Sequence, residues 1–240
     1  MARFHWMLAT YAVFWLALAI RPRDRVVWAV ENLFTAAAVA TLLSSYATWP
    51  LSDLSYGLLF FFLAMHAVGA HYTYVQVPYA GVLRMLSGSN AAATAEPARN
   101  HYDRVVHLAY GLLVTYPCLE MLERYARPAG AWSYVLAPTL IMASSLVYEV
   151  VEWWAAQVLG RGQGAAYLGA QGDEWDAQKD MALATLGGVL AMALTAALNW
   201  RYQRDFAQEW ADSLRVKIAA PLGEDELQRL RAERETTRLS

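Results

Sequence analysis

The stretch "LGAQGDEWDAQKDMALATLGG", residues 168–188, changes character halfway along. Its first half is acidic and its second half is apolar enough for lipid. Asp173, Asp176 and Asp180 are spaced i, i+3 and i+7, so on a helix their carboxylates form one stripe. An acidic stripe at the mouth of an apolar helix predicts a membrane segment with a polar neighbour at one end. The rest of the chain must supply the groups that face it.

Composition points to lipid as the solvent. The 240 residues are 58% hydrophobic and 17% charged, with 10 Trp and 14 Tyr, where a soluble domain carries about 25% charged residues. A spanning helix needs about 20 mostly apolar residues. Six segments qualify, near 5–20, 26–47, 54–72, 104–122, 133–159 and 178–200. Trp28, Trp49, Trp132 and Trp200 fall near their ends, as an interfacial aromatic belt requires. The expected fold is therefore an all-α, polytopic bundle of about six transmembrane helices over residues 1–205. A soluble, charged tail follows over 206–240. "VPYAGVLRMLSG", in the long connection after the third segment, reads as a short amphipathic interfacial helix.

Other classes are excluded. The net charge of -2 and the lack of a basic patch argue against a nucleic-acid partner. The lone Cys118 gives no disulfide framework. HExxH, GxSxG, P-loop and GxGxxG signatures are absent. Both termini are expected in the cytoplasm. The charged tail favours both termini in the cytoplasm, whereas the arginines of the opposite loops count against it.

Six passes put the end of segment 1, the start of 2, the end of 3, the start of 4, the end of 5 and the start of 6 on one membrane face. Glu31, Asn32, His66, His71, His101, Asp103, His107, Glu149, Glu152 and the three aspartates all fall on that side. Asp103 and His107 are i, i+4, and Glu149 and Glu152 are i, i+3, so each pair shares a helix face. Ionisable groups at this depth are expensive unless they face a bundle interior and find partners. Asp103, His107, Glu149 and Glu152 are candidate catalytic groups. Asp173, Asp176 and Asp180 are candidate ligands of a divalent metal, although Asp173 or Asp176 also fits as a helix cap. Glu149 and Glu152 also fit as ion-pair partners of Arg104 or Lys179.

Four blocks make the chain familiar: "HYTYVQVP" (71–78), "RNHYDRVVH" (99–107), "YEVVEWW" (148–154) and "LGAQGDEWDAQKDM" (168–181). In order and spacing they resemble the YjdF family of bacterial inner-membrane proteins over residues of about 20–200. The resemblance implies an integral, multi-pass protein of the bacterial inner membrane and no particular reaction. The D-x-x-x-H helix followed by a later acidic helix is similar, more loosely, to VanZ-like membrane proteins. The leading functional expectation is a metal-assisted hydrolase or transferase acting on a lipid or lipid-linked small molecule. Its rivals are a proton-coupled transporter or permease and a non-catalytic assembly subunit.

Overall fold

The computed structural model describes residues 2–78, 99–128, 130–168 and 171–201, with 211, 214, 228–232 and 234 of the tail. Among them the regular structure is helical throughout. The helices are α1 (Ala2–Leu18), α2 (Arg25–Ser45), α3 (Asp53–His71), α4 (Tyr102–Met121, continued by one π-helical turn, Leu122–Ala126), α5 (Trp132–Leu168) and α6 (Asp176–Arg201). Each expected segment is a helix. Two boundaries differ in ways that matter. α5 continues past 159 to Leu168, and α6 runs from Asp176, so it takes in Asp176 and Asp180 of the expected stripe and leaves Asp173 in the preceding turn. The expected interfacial helix and most of the tail from 206 onward lie outside the described residues, and the tail residues that are described are exposed.

Five helices have the length and apolarity to cross a bilayer: α2, α3, α4 with its π turn, α5 as far as Leu159, and α6. With 17 residues, α1 is at the lower limit for a span. It nonetheless runs beside α3 for its whole height. Arg3 pairs with Asp53 at 2.9 Å at one end, and His71 donates through Nδ1 to the Leu18 carbonyl at 2.6 Å at the other. Helix starts are fixed locally. Asp24 accepts from the amides of Val26 and Val27 to cap α2, and Ser52 accepts from the amide of Ser55 to cap α3. Val150, Val151, Trp153, Trp154 and Leu194 are exposed on the outside of the bundle, the arrangement a lipid solvent requires.

The closest helix pair is α4 and α6. A Cβ built on Gly111 would land on the Ala184 carbonyl oxygen, and one built on Gly187 would land on the Leu108 carbonyl oxygen. Only glycine lets these two backbones approach so closely, the small-residue packing that replaces the hydrophobic effect inside a membrane. At the membrane end away from the acids, Glu120 of α4 gathers the start of α3. It accepts from the Ser52 amide and hydroxyl, both at 2.8 Å, and from the Ser55 hydroxyl at 2.5 Å, and pairs with Arg124 at 3.0 Å.

Gly111→Val or Gly187→Val should drive α4 and α6 apart and cost at least the roughly 1–3 kcal/mol of an overpacked core. Thermal unfolding in detergent should show a clear drop in Tm for both. Gly57→Ala, where the added carbon meets nothing within 4 Å, should hold or raise it.

Candidate functional site

The acids fall into two layers. The outer layer joins the approach to α4 with the approach to α6. Asn100 and Gln171 clasp each other, the Asn100 amide donating to Oε1 of Gln171 and Nε2 of Gln171 donating to the Asn100 carbonyl, each at 2.9 Å. Asp173 receives Arg104 at 2.5 Å and Lys179 at 2.6 Å, with Arg99 at 3.6 Å. Asp176 pairs with Arg99 and lies 3.3 Å from Arg104. The Lys179 ammonium beside Asp173, with further help from the Trp175 amide and Arg104, holds its carboxyl down to about 2. Two of the three stripe aspartates are thus neutralised by cations at the rim. The alternative partners expected for Glu149 and Glu152, Arg104 and Lys179, are committed to these aspartates instead.

The inner layer lies one helical turn deeper. Asp180, 2% exposed, meets Asp103 and His107 of α4, and one donor atom from each of the three lies within 4.8 Å of the other two. His107 Nε2 is 3.6 Å from Asp103 Oδ1 and 3.5 Å from Glu149 Oε1 of α5. These separations are too long for hydrogen bonds. Oδ1 of Asp180 and Oε1 of Glu149 are buried and have no hydrogen bond among the described residues. The expected catalytic set and metal set therefore mix. The structure brings Asp103, His107, Glu149 and Asp180 together, and it pairs Asp173 and Asp176 with arginine and lysine.

Glu152 takes a different position. It lies on the wall of a cavity between α2, α3, α4 and α5, with about 670 Å³ of space including the part open to the outside. Asp103 and His107 line the same cavity, so it borders the inner cluster. Glu31 of α2, 3% exposed, is a further wall and accepts from the Tyr148 hydroxyl at 3.2 Å. His66 is 2% exposed. Its Nε2 lies 3.2 Å from the Glu31 backbone carbonyl and its Nδ1 lies 2.5 Å from the Tyr74 hydroxyl. A carbonyl only accepts, so Nε2 carries a proton, and in the neutral ring Nδ1 then accepts from Tyr74.

Tyr74 reaches this place through an unusual turn. Thr73 and Tyr74 follow α3 with φ of 55° and 56°, a left-handed conformation that side-chain-bearing residues, β-branched ones above all, rarely adopt. The turn folds the phenol back over Gly69, where an added Cβ would lie 2.5 Å from the ring. Sequence reasoning placed Glu31 and His66 on the correct side without assigning them a role, and it missed Tyr74 and Tyr148. The signal for Tyr74 was its place in "HYTYVQVP". No helical periodicity links it to α3, because the turn intervenes. His71 serves α1, as described above, and His101 stands before α4 with Arg104 at 3.3 Å from its ring. Trp153 and Trp154 point outward, 58% and 63% exposed, and form no part of the pocket.

Comparison with known proteins agrees with this architecture. A family model described as a predicted membrane protein, DUF2238, matches residues 3–201. The inner membrane protein YjdF of Escherichia coli (strain K12) is 32% identical over 189 residues, covering 78% of this chain and 86% of that protein. No solved structure matches.

Burial raises the Tyr74 phenol well above the ordinary tyrosine range. The proton is held more tightly in the folded state, so stability is complete below about pH 10 and falls as the pH rises past it. Spectrophotometric titration should show Tyr74 ionising only as the protein unfolds. Tyr74→Phe should remove one tyrosinate from that late phase and leave the early phase unchanged.

Proposed function

The chain belongs to the DUF2238 family of predicted membrane proteins, and on that premise we propose that it is a multi-pass inner-membrane hydrolase or transferase with a divalent-metal centre and a lipid-type substrate. The inner membrane is where its YjdF relative resides by name. The observation that carries the reading is the inner cluster, with donor atoms of Asp103, His107 and Asp180 all within 4.8 Å of one another. Metal–ligand bonds of about 2.1 Å in tetrahedral or octahedral geometry put neighbouring donors about 3.0–3.4 Å apart. The separations of 3.5 Å and 3.6 Å around His107 Nε2 sit close to that edge length. The buried Asp180 Oδ1 and Glu149 Oε1 are oxygens that an ion would satisfy.

Two aspartates and one histidine suit Mn, Fe, Zn or Mg. Such an ion, when bound, supplies a Lewis acid for a phosphoryl or acyl oxygen and lowers the pKa of a bound water. Asp103, His107 and Asp180 are the ligands in this reading. Glu149 stands beside His107 as a fourth ligand or as the base that takes a proton from the attacking water or alcohol. Glu152 faces the adjoining cavity, where the substrate is held. Asp173 and Asp176 act outside the centre, fastening the α4 and α6 approaches over it through Arg99, Arg104 and Lys179.

One observation favours a second reading, proton-coupled transport. Tyr148 donates to Glu31, and Tyr74 donates to His66 beside it, a chain of groups able to pass protons. A carrier also needs a route to the opposite face, and there Glu120 is held by Ser52, Ser55 and Arg124, and Arg3 pairs with Asp53.

Chelator-treated protein should gain Tm on addition of Mn or Zn. At a hundredfold excess over Kd the gain is about 2.7 kcal/mol, or roughly 5–10 °C for a chain of this size. Asp180→Asn and Asp103→Asn should each abolish most of the gain. Asp173→Asn, and Asp53→Asn at the opposite end, should retain it. A melt unmoved by any divalent ion, with proton uptake measurable in proteoliposomes, would favour transport.

A further inference from the structure

We propose that the cavity beside the inner cluster is a binding site for an organic ammonium group, the positively charged end of the substrate. This rests on the reading above only for the reacting end of that substrate. The ammonium end stands on three observations of its own.

The first is charge. Glu31, Asp103 and Glu152 line the cavity, and among the described residues no lysine or arginine lines it. The nearby cations are engaged elsewhere, Arg99, Arg104 and Lys179 all being bound to Asp173 or Asp176 at the rim. His66 Nε2 comes within 3.9 Å of the Glu31 carboxylate, but it is bonded to the Glu31 backbone carbonyl at 3.2 Å and Nδ1 to the Tyr74 hydroxyl, so it gives that carboxylate no hydrogen bond. The second is unmet bonding. Glu31 is 3% exposed and its side chain accepts one hydrogen bond among the described residues, from Tyr148, where a carboxylate takes several. A buried carboxylate in this condition calls for a cation that also donates hydrogen bonds, and an ammonium does both. The third is the rest of the wall. Phe34, Phe62, Tyr74, Tyr110 and Tyr148 line it. Phe34 stands edge-on to Tyr148, with centroids 5.9 Å apart, and Phe62 is tilted against Tyr110 at 5.2 Å. Aromatic faces attract an organic cation and shed its water, which selects an alkylated ammonium over a hydrated metal ion. A small cation with no carbon chain would leave this volume unfilled.

The ammonium has two possible sources, a free alkylamine or the headgroup of an amino-phospholipid. α2 and α5, which flank the cavity, touch around Val27 and Ala156.

The test uses the full chain, purified with chelator so that no divalent ion contributes. Calorimetric titration compares n-butylammonium chloride with n-butanol and sodium butyrate. The ammonium should bind at least tenfold more tightly than either. Glu31→Gln and Glu152→Gln, which preserve shape, should each weaken it at least tenfold. Butanol or butyrate binding as well as butylammonium in the wild-type protein would overturn the proposal, whatever the variants do. In a second arm the protein is placed in nanodiscs of phosphatidylethanolamine or of phosphatidylglycerol. Loss of butylammonium binding only in phosphatidylethanolamine identifies the headgroup as occupant, and equal binding in both identifies a free amine. Because metal is excluded throughout, failure here leaves the metal response of Asp180 intact, and failure of that response leaves this result standing.

Discussion

Two helix backbones in near contact set the geometry on which the pocket depends. Asp103, His107 and Gly111 follow one another at four-residue steps along α4, and Asp176, Asp180 and Ala184 do the same along α6, with Gly187 close behind. The face that carries the ionisable groups at the membrane surface therefore carries small residues deeper in. The two helices run in the same direction, and Gly111 meets Ala184 while Gly187 meets Leu108. That contact fixes the register, and the register brings Asp180 level with His107. A larger residue at either glycine would displace the Asp103, His107 and Asp180 side chains along with the backbones. In the absence of a hydrophobic force between helices, this close fit is what aligns the chemistry.

Charge is sorted by depth. At the rim, where water screens, each aspartate has its arginine or lysine. One turn below, the acids face imidazole, tyrosine and each other, and no formal cation joins them among the described residues. Burying carboxylates without their counter-charge is costly in a low-dielectric interior.

Much of this was legible in the sequence. Helix length and apolarity gave the six segments. Pass counting alone put the polar groups on one side, because the side on which a residue falls depends only on which half of a span it occupies. The i, i+4 spacing of Asp103 and His107 proved to be a real shared face. The stripe of aspartates was less informative. Its spacing assumed a helix that begins at Asp173, but the helix begins three residues later, after a left-handed turn at Gln171 and Gly172. Spacing also carries no information about which cation a carboxylate meets across 70 residues of chain, as Asp173 and Asp176 do with Arg104 and Arg99. Nor does it reveal Tyr74, whose place depends on two positive φ angles and the bare surface of Gly69.

The Glu120 knot has a mechanical consequence. At that end, α3 and α4 are held by one carboxylate with several short bonds, and α4 and α5 by the bond between Glu123 and Ser133. At the pocket end, α3 and α4 are joined by the Tyr102 hydroxyl, which donates to the Met65 carbonyl at 2.8 Å, and the left-handed turn at Thr73 and Tyr74 leads out of α3. Three helices, α3, α4 and α5, are thus tied together by carboxylate–hydroxyl bonds at the end away from the cavity. A change at Glu120 would therefore shift α3 against α4, the two helices whose other ends wall the cavity.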